Sequence, residues 1–241
     1  MEIYKDIEIN DLFLYLKKYN TLVIGDVHIG YEEALNKEGI LIPRFQFKDT
    51  LARLEKAIKN KRFNSIILLG DVKHEFGTIS ETEWRNTLQF LDTLSGYTKK
   101  IILIKGNHDK MLEPIANKRN LEVKDYVRIG DIILLHGHII PEKNKDFKDS
   151  KIIIIGHEHP AISITDRLKT ENFKCFLKGW YKSKTLIVVP SFNLVTEGTD
   201  ISRGELLSPF LHHDLKNFEV FIVADKIYNF GKVEDIAKQG A

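Results

Sequence analysis

Five short apolar runs in this chain are each followed at once by histidine, aspartate or asparagine residues. The runs are rich in Ile, Leu and Val, and they begin at Thr21, Ser65, Lys100, Asp131 and Lys151. Unbroken hydrophobicity of this kind indicates strands that are buried on both faces of a sheet. Because ligands of open α/β sheets collect at the carboxyl ends of parallel strands, the polar residues after these runs are expected to meet at one site.

The residues that follow the five runs are types that bind transition metals. They are Asp26 and His28; Asp71 and His74; Asn107, His108 and Asp109; His136 and His138; and His157 and His159. Imidazole nitrogens and carboxylate oxygens suit Mn, Fe or Zn, and an asparagine amide oxygen adds a neutral ligand. Each cluster alone is weak evidence, because Asp-x-His occurs by chance and a lone histidine is commonly structural. The recurrence of such clusters after buried strands predicts a metal site.

Composition narrows the class of protein only slightly. A chain of 241 residues, 43% hydrophobic and 29% charged, predicts a single domain over residues 1–241 with a sizeable core. The net charge of +2 is too small to indicate nucleic acid by itself. Early charges and the lack of an apolar run near the roughly 20 residues that span a bilayer predict a cytoplasmic protein without membrane contact. Cys175 has no partner for an internal disulfide, and we interpret it as a small buried hydrophobe.

Helical patterns separate the apolar runs in the first part of the chain. We predict a short helix over 11–19, an amphipathic helix over 44–60 and a helix over 80–94 that begins with a capping box of Ser80 and Glu83. Alternating strands and helices predict an α/β fold. After Pro160 the pattern changes to short strands and a closing hairpin, so the second part is more antiparallel. Two mixed sheets packed face to face with helices outside accommodate both parts.

The ordered motifs resemble those of the calcineurin-like metallophosphoesterases. They are Asp-x-His at 26–28, Gly-Asp-x-x-His at 70–74, Gly-Asn-His-Asp at 106–109, His-Gly at 136–137 and Gly-His-x-His at 156–159. The resemblance implies a four-layer αββα sandwich. The motif Gly-Asp-x-x-His at 70–74, which ends in His74, resembles that of the branch containing the SbcD-type DNA-repair nucleases. The compact length and the Val189-Pro190-Ser191-Phe192 tail look more like the PdeM-type phosphoesterases and their archaeal SbcD-related relatives.

The resemblance also implies two divalent metal ions, with Mn as first choice and Fe, Zn or Ni as alternatives. The first ion would take Asp26, His28 and His159, and the second Asn107, His136 and His157, with Asp71 bridging both. A water activated by the metals would attack phosphorus in line.

Four further residues have implied roles around the metals. His108 is implied to act at the substrate phosphate and to protonate the leaving oxygen. Asp109 would orient His108, cap the helix that follows, or do both. His74 is either a helper at the phosphate or, as we prefer, a hydrogen-bonding neighbour of a ligand. His138 is expected to support the ligands without binding a metal.

The predicted function is hydrolysis of a phosphodiester, with nucleic acid or a nucleotide as the candidate substrate. A phosphomonoesterase acting on a small nucleotide or metabolite is one alternative, and a non-catalytic interaction scaffold is another. Oligomerisation stays open, and a helicase or ligase partner is suggested only by family analogy. Some aromatic residues are candidates for stacking on bases, although core packing is the preferred interpretation for them: Phe45, Phe47, Trp180, Tyr181 and Phe192.

Overall fold

The computed structural model describes residues 1–42, 45–75, 80–166 and 169–239. Arg44, where a predicted helix begins, and residues 240 and 241 of the predicted domain lie outside these ranges. The strands are β1 (Glu2–Tyr4), β2 (Ile7–Asn10), β3 (Phe13–Leu16), β4 (Thr21–Ile24), β5 (Ser65–Leu68), β6 (Ile101–Ile104), β7 (Glu122–Lys124), β8 (Tyr126–Ile129), β9 (Ile132–Leu135), β10 (Ile152–Ile155), β11 (Pro160–Asp166), β12 (Lys169–Tyr181), β13 (Lys184–Val188), β14 (Thr199–Asp200), β15 (Glu219–Val223) and β16 (Ile227–Lys232). The α-helices are α1 (Tyr31–Lys37), α2 (Gln46–Ile58), α3 (Glu81–Ser95), α4 (Leu112–Asn117), α5 (Lys145–Asp149) and α6 (Val233–Gln239).

Within the described residues, the strands form two mixed sheets of seven and nine strands. The first sheet holds β1 to β7 in chain order, antiparallel as far as β4 and parallel from β4 onward. In the second sheet β9, β10 and β13 are parallel to one another, and so are β11 and β14, whereas the other pairs of strands are antiparallel. Two mixed sheets are the arrangement that the sequence predicts.

The sheets pack face to face, which explains why the core strands are apolar at every position. In β4, Val23 points into the cluster between the sheets, whereas Leu22 and Ile24 point to the outer face. The isoleucines of β10 divide in the same way between the inter-sheet cluster and the outer face of the second sheet. Since both faces are covered, polar alternation would bury unsatisfied groups.

Helices cover the outer faces and complete the four layers. Leu54 of α2, Phe90 of α3 and Ile115 of α4 are fully buried against the first sheet. Phe147 of α5 and Ile236 of α6 pack on the second sheet, beside a 3-10 turn at Pro209–Leu211. Each fully buried Leu, Ile or Phe side chain contributes about 1.5–3 kcal/mol. The predicted order of helix, sheet, sheet and helix is confirmed.

The predicted helix over 11–19 is wrong. This segment forms β3 and a 3-10 turn, Lys17–Tyr19. Successive residues of β3 enter different cores, Phe13 the outer one and Leu14 the one between the sheets. Pairing with β2 and β4 therefore buries both faces of the segment, which outweighs its local helical pattern.

Other elements agree with the sequence more closely. The helices predicted over 44–60 and 80–94 are present as α2 and α3 with shifted ends. The closing hairpin is formed by β15 and β16, but β12 is longer than expected at 13 residues. The C-terminal helix α6 was not predicted. No helix within the described ranges is long and apolar enough to cross a membrane.

Candidate metal centre

The polar residues after β4, β5, β6, β9 and β10 lie together at one edge of the two packed sheets. Ligand-type atoms of Asp26, His28 and His159 lie within 4.8 Å of one another, as do those of Asp71, His136 and His157. The first sheet supplies Asp26, His28 and Asp71, and the second sheet supplies the remaining three. The edge where the sheets meet therefore carries several potential ligand atoms from both halves of the sandwich.

In the first group, three side chains present ligand atoms to one another. Nε2 of His28 lies 3.2 Å from Nε2 of His159, which in turn lies 3.4 Å from Oδ1 of Asp26. Oδ2 of Asp26 accepts a hydrogen bond from the backbone amide of His157 at 3.0 Å. One carboxylate oxygen thus fastens the loop after β10, while the other faces the imidazoles.

In the second group, His136 lies at the centre. Its Nδ1 is 2.9 Å from the backbone oxygen of Leu69, so Nδ1 donates and Nε2 faces the site with its lone pair in the neutral ring. That Nε2 lies 2.9 Å from Oδ1 of Asn107 and 3.1 Å from Nδ1 of His157. Asn107 therefore joins this group, as the resemblance implies.

Asp71 lies between the two groups. Its Oδ2 is 3.8 Å from Nε2 of His28 and 3.3 Å from Nε2 of His136. Its Oδ1 accepts a hydrogen bond from the backbone amide of His108 at 2.9 Å. A carboxylate oxygen that faces both groups is in the position that a bridging ligand needs.

The side chains present fit divalent metal ions. Oδ1 of Asp26 is buried and has no hydrogen-bond partner among the described residues. A buried anionic oxygen without a donor is costly unless a cation binds it. Metal–nitrogen bonds of about 2.0–2.1 Å place neighbouring ligand atoms roughly 3 Å apart, which is the spacing seen between the imidazole nitrogens here.

Burial keeps two of the candidate histidine ligands neutral. Desolvation lowers the pKa of His28 to about 3 and that of His157 to about 4. Burial also acts to lower the pKa of His136, but the Asp71 and Asp26 carboxylates beside it overcome this effect and raise that pKa to about 9. The imidazoles near Asp71 hold the pKa of its carboxyl well below the usual range despite its burial. Anionic carboxylates and neutral imidazoles are the protonation states that metal binding requires.

The backbone at the site adopts a conformation that side-chain-bearing residues rarely adopt. Five candidate ligands have left-handed φ angles: Asp26 (36°), His28 (46°), Asp71 (46°), His157 (65°) and His159 (49°). Such strain is commonly concentrated at functional sites. In the turn after β10 the left-handed residue is His157 and not the glycine that precedes it. Gly156 instead leaves room for Asp26, whose Oδ2 a Cβ on Gly156 would meet within contact distance.

His108 borders both groups, and the carbonyl of His74 orients it. Nδ1 of His108 donates to this carbonyl oxygen at 2.5 Å, which directs Nε2 toward Asp71 Oδ2, 3.9 Å away. The ring of His74 packs on Tyr31 with 4.5 Å between centroids, and its Nδ1 lies 3.4 Å from Nδ1 of His28. Ligand-type nitrogens of His74, His28 and His108 also lie within 4.8 Å of one another, so both interpretations of His74 stay predictions.

Asp109 makes interactions that differ from both predicted ones. Its carboxylate is buried and accepts hydrogen bonds from the backbone amides of Val72 at 3.2 Å and Gly106 at 3.0 Å. No side-chain cap is made at the start of the 3-10 turn Asp109–Met111 or of α4. Burial raises the pKa of Asp109 to about 7. Asp109 therefore joins the loops after β5 and β6.

The ring of His138 lies against the rings of two candidate ligands. The ring centroids are 5.2 Å from His136 and 5.9 Å from His157. The strand β9 ends at Leu135, so strand alternation does not bring His138 beside His136. The expectation that His138 supports the ligands agrees with this placement.

Sequence reasoning missed residues that hold the loops in place. Ser191 donates to the backbone oxygen of Asp26 at 2.8 Å, and Asn193 donates to that of Val27 at 2.9 Å. The buried ammonium of Lys174 donates to the backbone oxygens of Ser191 and Asn193. Ser191 and Asn193 follow β13, which is a sixth apolar run. A search for polar residues after apolar runs would therefore have identified them too.

Two glutamates also act on the site through backbone amides. Oε1 of Glu83 accepts from the amides of His74 at 2.8 Å and Glu75 at 2.9 Å, so only half of the predicted capping box forms. The other half is present, because Ser80 accepts from the amide of Glu83 at 3.1 Å. Oε2 of Glu158 accepts from the amide of Ser208 at 2.8 Å and so ties the loop after β10 to a distant segment.

The chain belongs to the calcineurin-like phosphoesterases. The model of that family matches residues 19–195, which include every candidate ligand. No curated protein is a significant match to the sequence. The particular branch, SbcD-type or PdeM-type, stays a prediction.

The comparison with a solved nuclease structure supports the fold. A nuclease named MPE from Pseudomonas putida superposes with a TM-score of 0.65 at 18% identity, covering 92% of this chain and 93% of that one. Vps29 with Zn from Entamoeba histolytica gives 0.39 at 18% identity, covering 88% and 98%. A predicted phosphoesterase from Streptococcus pneumoniae gives 0.34 at 12% identity, covering 88% and 97%. The last two scores are too low to support an inference.

Proposed function

We propose that the chain is a metal-dependent phosphodiesterase whose substrate is a nucleic acid or a nucleotide. The observation that carries the proposal is the position of Asp71 between two groups of ligand atoms, with His108 beside them. The similar structure from Pseudomonas putida is named a nuclease, which favours a diester. We propose Mn as the metal. We propose two ions, because Asp71 faces both His28 of the first group and His136 of the second.

In this proposal, some side chains bind the metal ions and His108 transfers a proton. Divalent ions held by the seven ligands would supply positive charge for the phosphate and a nucleophilic water of lowered pKa. With Nδ1 of His108 donating to the His74 carbonyl, a proton on its Nε2 can pass to the leaving oxygen. The tether from Asp109 to the Gly106 amide holds the loop that carries His108.

The first experiment compares substrates and tests His108. We expect Mn-loaded protein to hydrolyse bis-p-nitrophenyl phosphate with a higher kcat/KM than p-nitrophenyl phosphate. His108→Ala should retain its metal content and lose about 100-fold or more in kcat, the usual contribution of a positioned acid. The matched control is His213→Ala, because His213 bonds the Trp180 carbonyl at the far end of β12.

The outcomes separate the alternatives. Faster turnover of the monoester would favour the phosphomonoesterase. Metal-loaded protein without activity on either ester would favour the interaction scaffold. Loss of metal from His108→Ala would show that His108 is a ligand, contrary to its assignment.

A further inference from the structure

A cavity of about 470 Å³ adjoins the candidate metal centre on the side of Asn107 and His136, which form part of its wall. Its volume falls in the range of about 300–1,000 Å³ that is typical of small-molecule sites. Because the cavity and the second ligand group share two residues, a group attached to a phosphate at the centre can enter it directly.

Part of the remaining wall is apolar or aromatic. Tyr126, Leu135, Ile139 and Pro141 contribute side chains, and Ile139 is 63% exposed. Apolar side chains around a few polar groups are the usual lining of a small-molecule site. The half-buried His138 also lines the cavity, and its ring lies against the rings of His136 and His157.

The charged residues of the cavity argue against a second phosphate there. Lys105 and Asp125 both line it, so its formal charges cancel. Lys105 is also paired with Glu113 at 3.3 Å, which weakens its attraction for an anion. One donor and one acceptor beside apolar walls suit the hydrogen-bonding edge of an uncharged heteroaromatic ring.

We propose that this cavity binds a nucleobase next to the scissile phosphate, which stacks on the rings of His138 and Tyr126 and packs against Ile139. The proposal rests on the proposed function and specifies its substrate as a diester that carries a base on one particular side of the phosphate. Stacking of one base on aromatic side chains is worth about 1–3 kcal/mol, so removing this base should cost roughly tenfold in kcat/KM.

The test uses three dinucleotides with the Mn-loaded full chain. One has both bases, and each of the others lacks one base while keeping the sugars and the phosphate. We expect loss of one base to lower kcat/KM roughly tenfold and loss of the other to change it less than about twofold. Because the leaving-group chemistry is the same in all three, the comparison isolates the contribution of the base.

Variants locate that contribution. Ile139→Asn adds no charge and lies at the surface, and we expect it to reduce the preference for the base-bearing dinucleotide several-fold. Tyr126→Leu should do the same while retaining most apolar packing. The control is Ile40→Asn, at an isoleucine that is 52% exposed and does not line the cavity, which should keep the full preference.

The result shows which proposal fails. Equal kcat/KM for all three dinucleotides in an active enzyme would overturn the cavity assignment alone. A strong preference that neither Ile139→Asn nor Tyr126→Leu alters would also overturn it. If the protein hydrolysed neither the dinucleotides nor bis-p-nitrophenyl phosphate, the proposed function would be overturned, and this inference with it.

Discussion

At the scale of single residues, burial sets the protonation of the candidate ligands before a metal binds. His28 and His157, with pKa values lowered to about 3 and 4, carry no proton to displace at neutral pH. His136 differs, because the Asp71 and Asp26 carboxylates raise its pKa to about 9. A metal bound by the second group would therefore have to displace the proton of His136.

Metal binding at pH 7.5 is expected to release about one proton from His136. Below a pKa of about 9 the metal-free ring holds that proton, so apparent affinity should rise with pH up to this value and then level off. Calorimetric titration with Mn in two buffers of different ionisation enthalpy counts the protons. His136→Gln should abolish the release, and His157→Gln, which also removes a ligand, should leave it. Identical heats in both buffers would contradict this assignment.

Cys175 provides a second prediction at this scale. Its thiol is fully buried in β12, and burial raises its pKa, so little thiolate forms. We expect a disulfide reagent to modify the native protein far more slowly than the unfolded protein. Ile40→Cys, at an exposed position, is the positive control and should react at once. Rapid modification of native Cys175 would show that β12 opens.

At the scale of elements, the site depends on close approach between the loops that follow neighbouring strands. A Cβ on Gly106 would lie closer to Oδ1 and the backbone nitrogen of Asp71 than nonbonded atoms can approach. The loop after β6 can therefore pass the loop after β5 only without a side chain at this position.

Gly106→Ala should displace Asp71 and weaken Mn binding at least tenfold, with a loss of stability of about 1–3 kcal/mol. Metal titration and chemical denaturation measure the two effects. Gly96→Ala is the matched control, because Gly96 ends α3 with φ of −66° and its Cβ would lie 3.2 Å from the nearest atom. If Gly106→Ala bound Mn as the wild type does, the proposed bridging by Asp71 would be wrong.

The sequence predicted the elements better than the contacts between their loops. Runs that are apolar at every position identified the core strands correctly, because both faces of each sheet are covered. The partner of Asp109 could not be predicted, because it depends on how the loop after β6 crosses Val72. The β3 segment was misassigned because its burial arises from neighbouring strands and not from its own pattern. The left-handed φ angles of the ligands have no sequence signal of their own.

At the scale of the whole molecule, candidate ligands from both sheets meet at one edge, so a metal bound there would link the two halves of the sandwich. A ligand that binds only the folded state stabilises it by about 2.7 kcal/mol at 100 times its Kd. We expect Mn to raise the Tm and a chelator to lower it. Asp71→Asn tests the link, because asparagine tolerates the left-handed φ of 46° but carries no charge. The Mn-dependent rise in Tm should be much smaller in this variant than in His213→Ala.

The cluster of apolar side chains between the sheets has a further consequence for the chemistry. Since Asp26 and Asp71 belong to one sheet and His136, His157 and His159 to the other, this cluster is the spacer that fixes how far apart the opposing ligands stand. Shear of one sheet over the other would change that spacing at every ligand at once. Packing far from the edge, at side chains such as Ile67 and Ile154, therefore tunes the dimensions of the site without touching it.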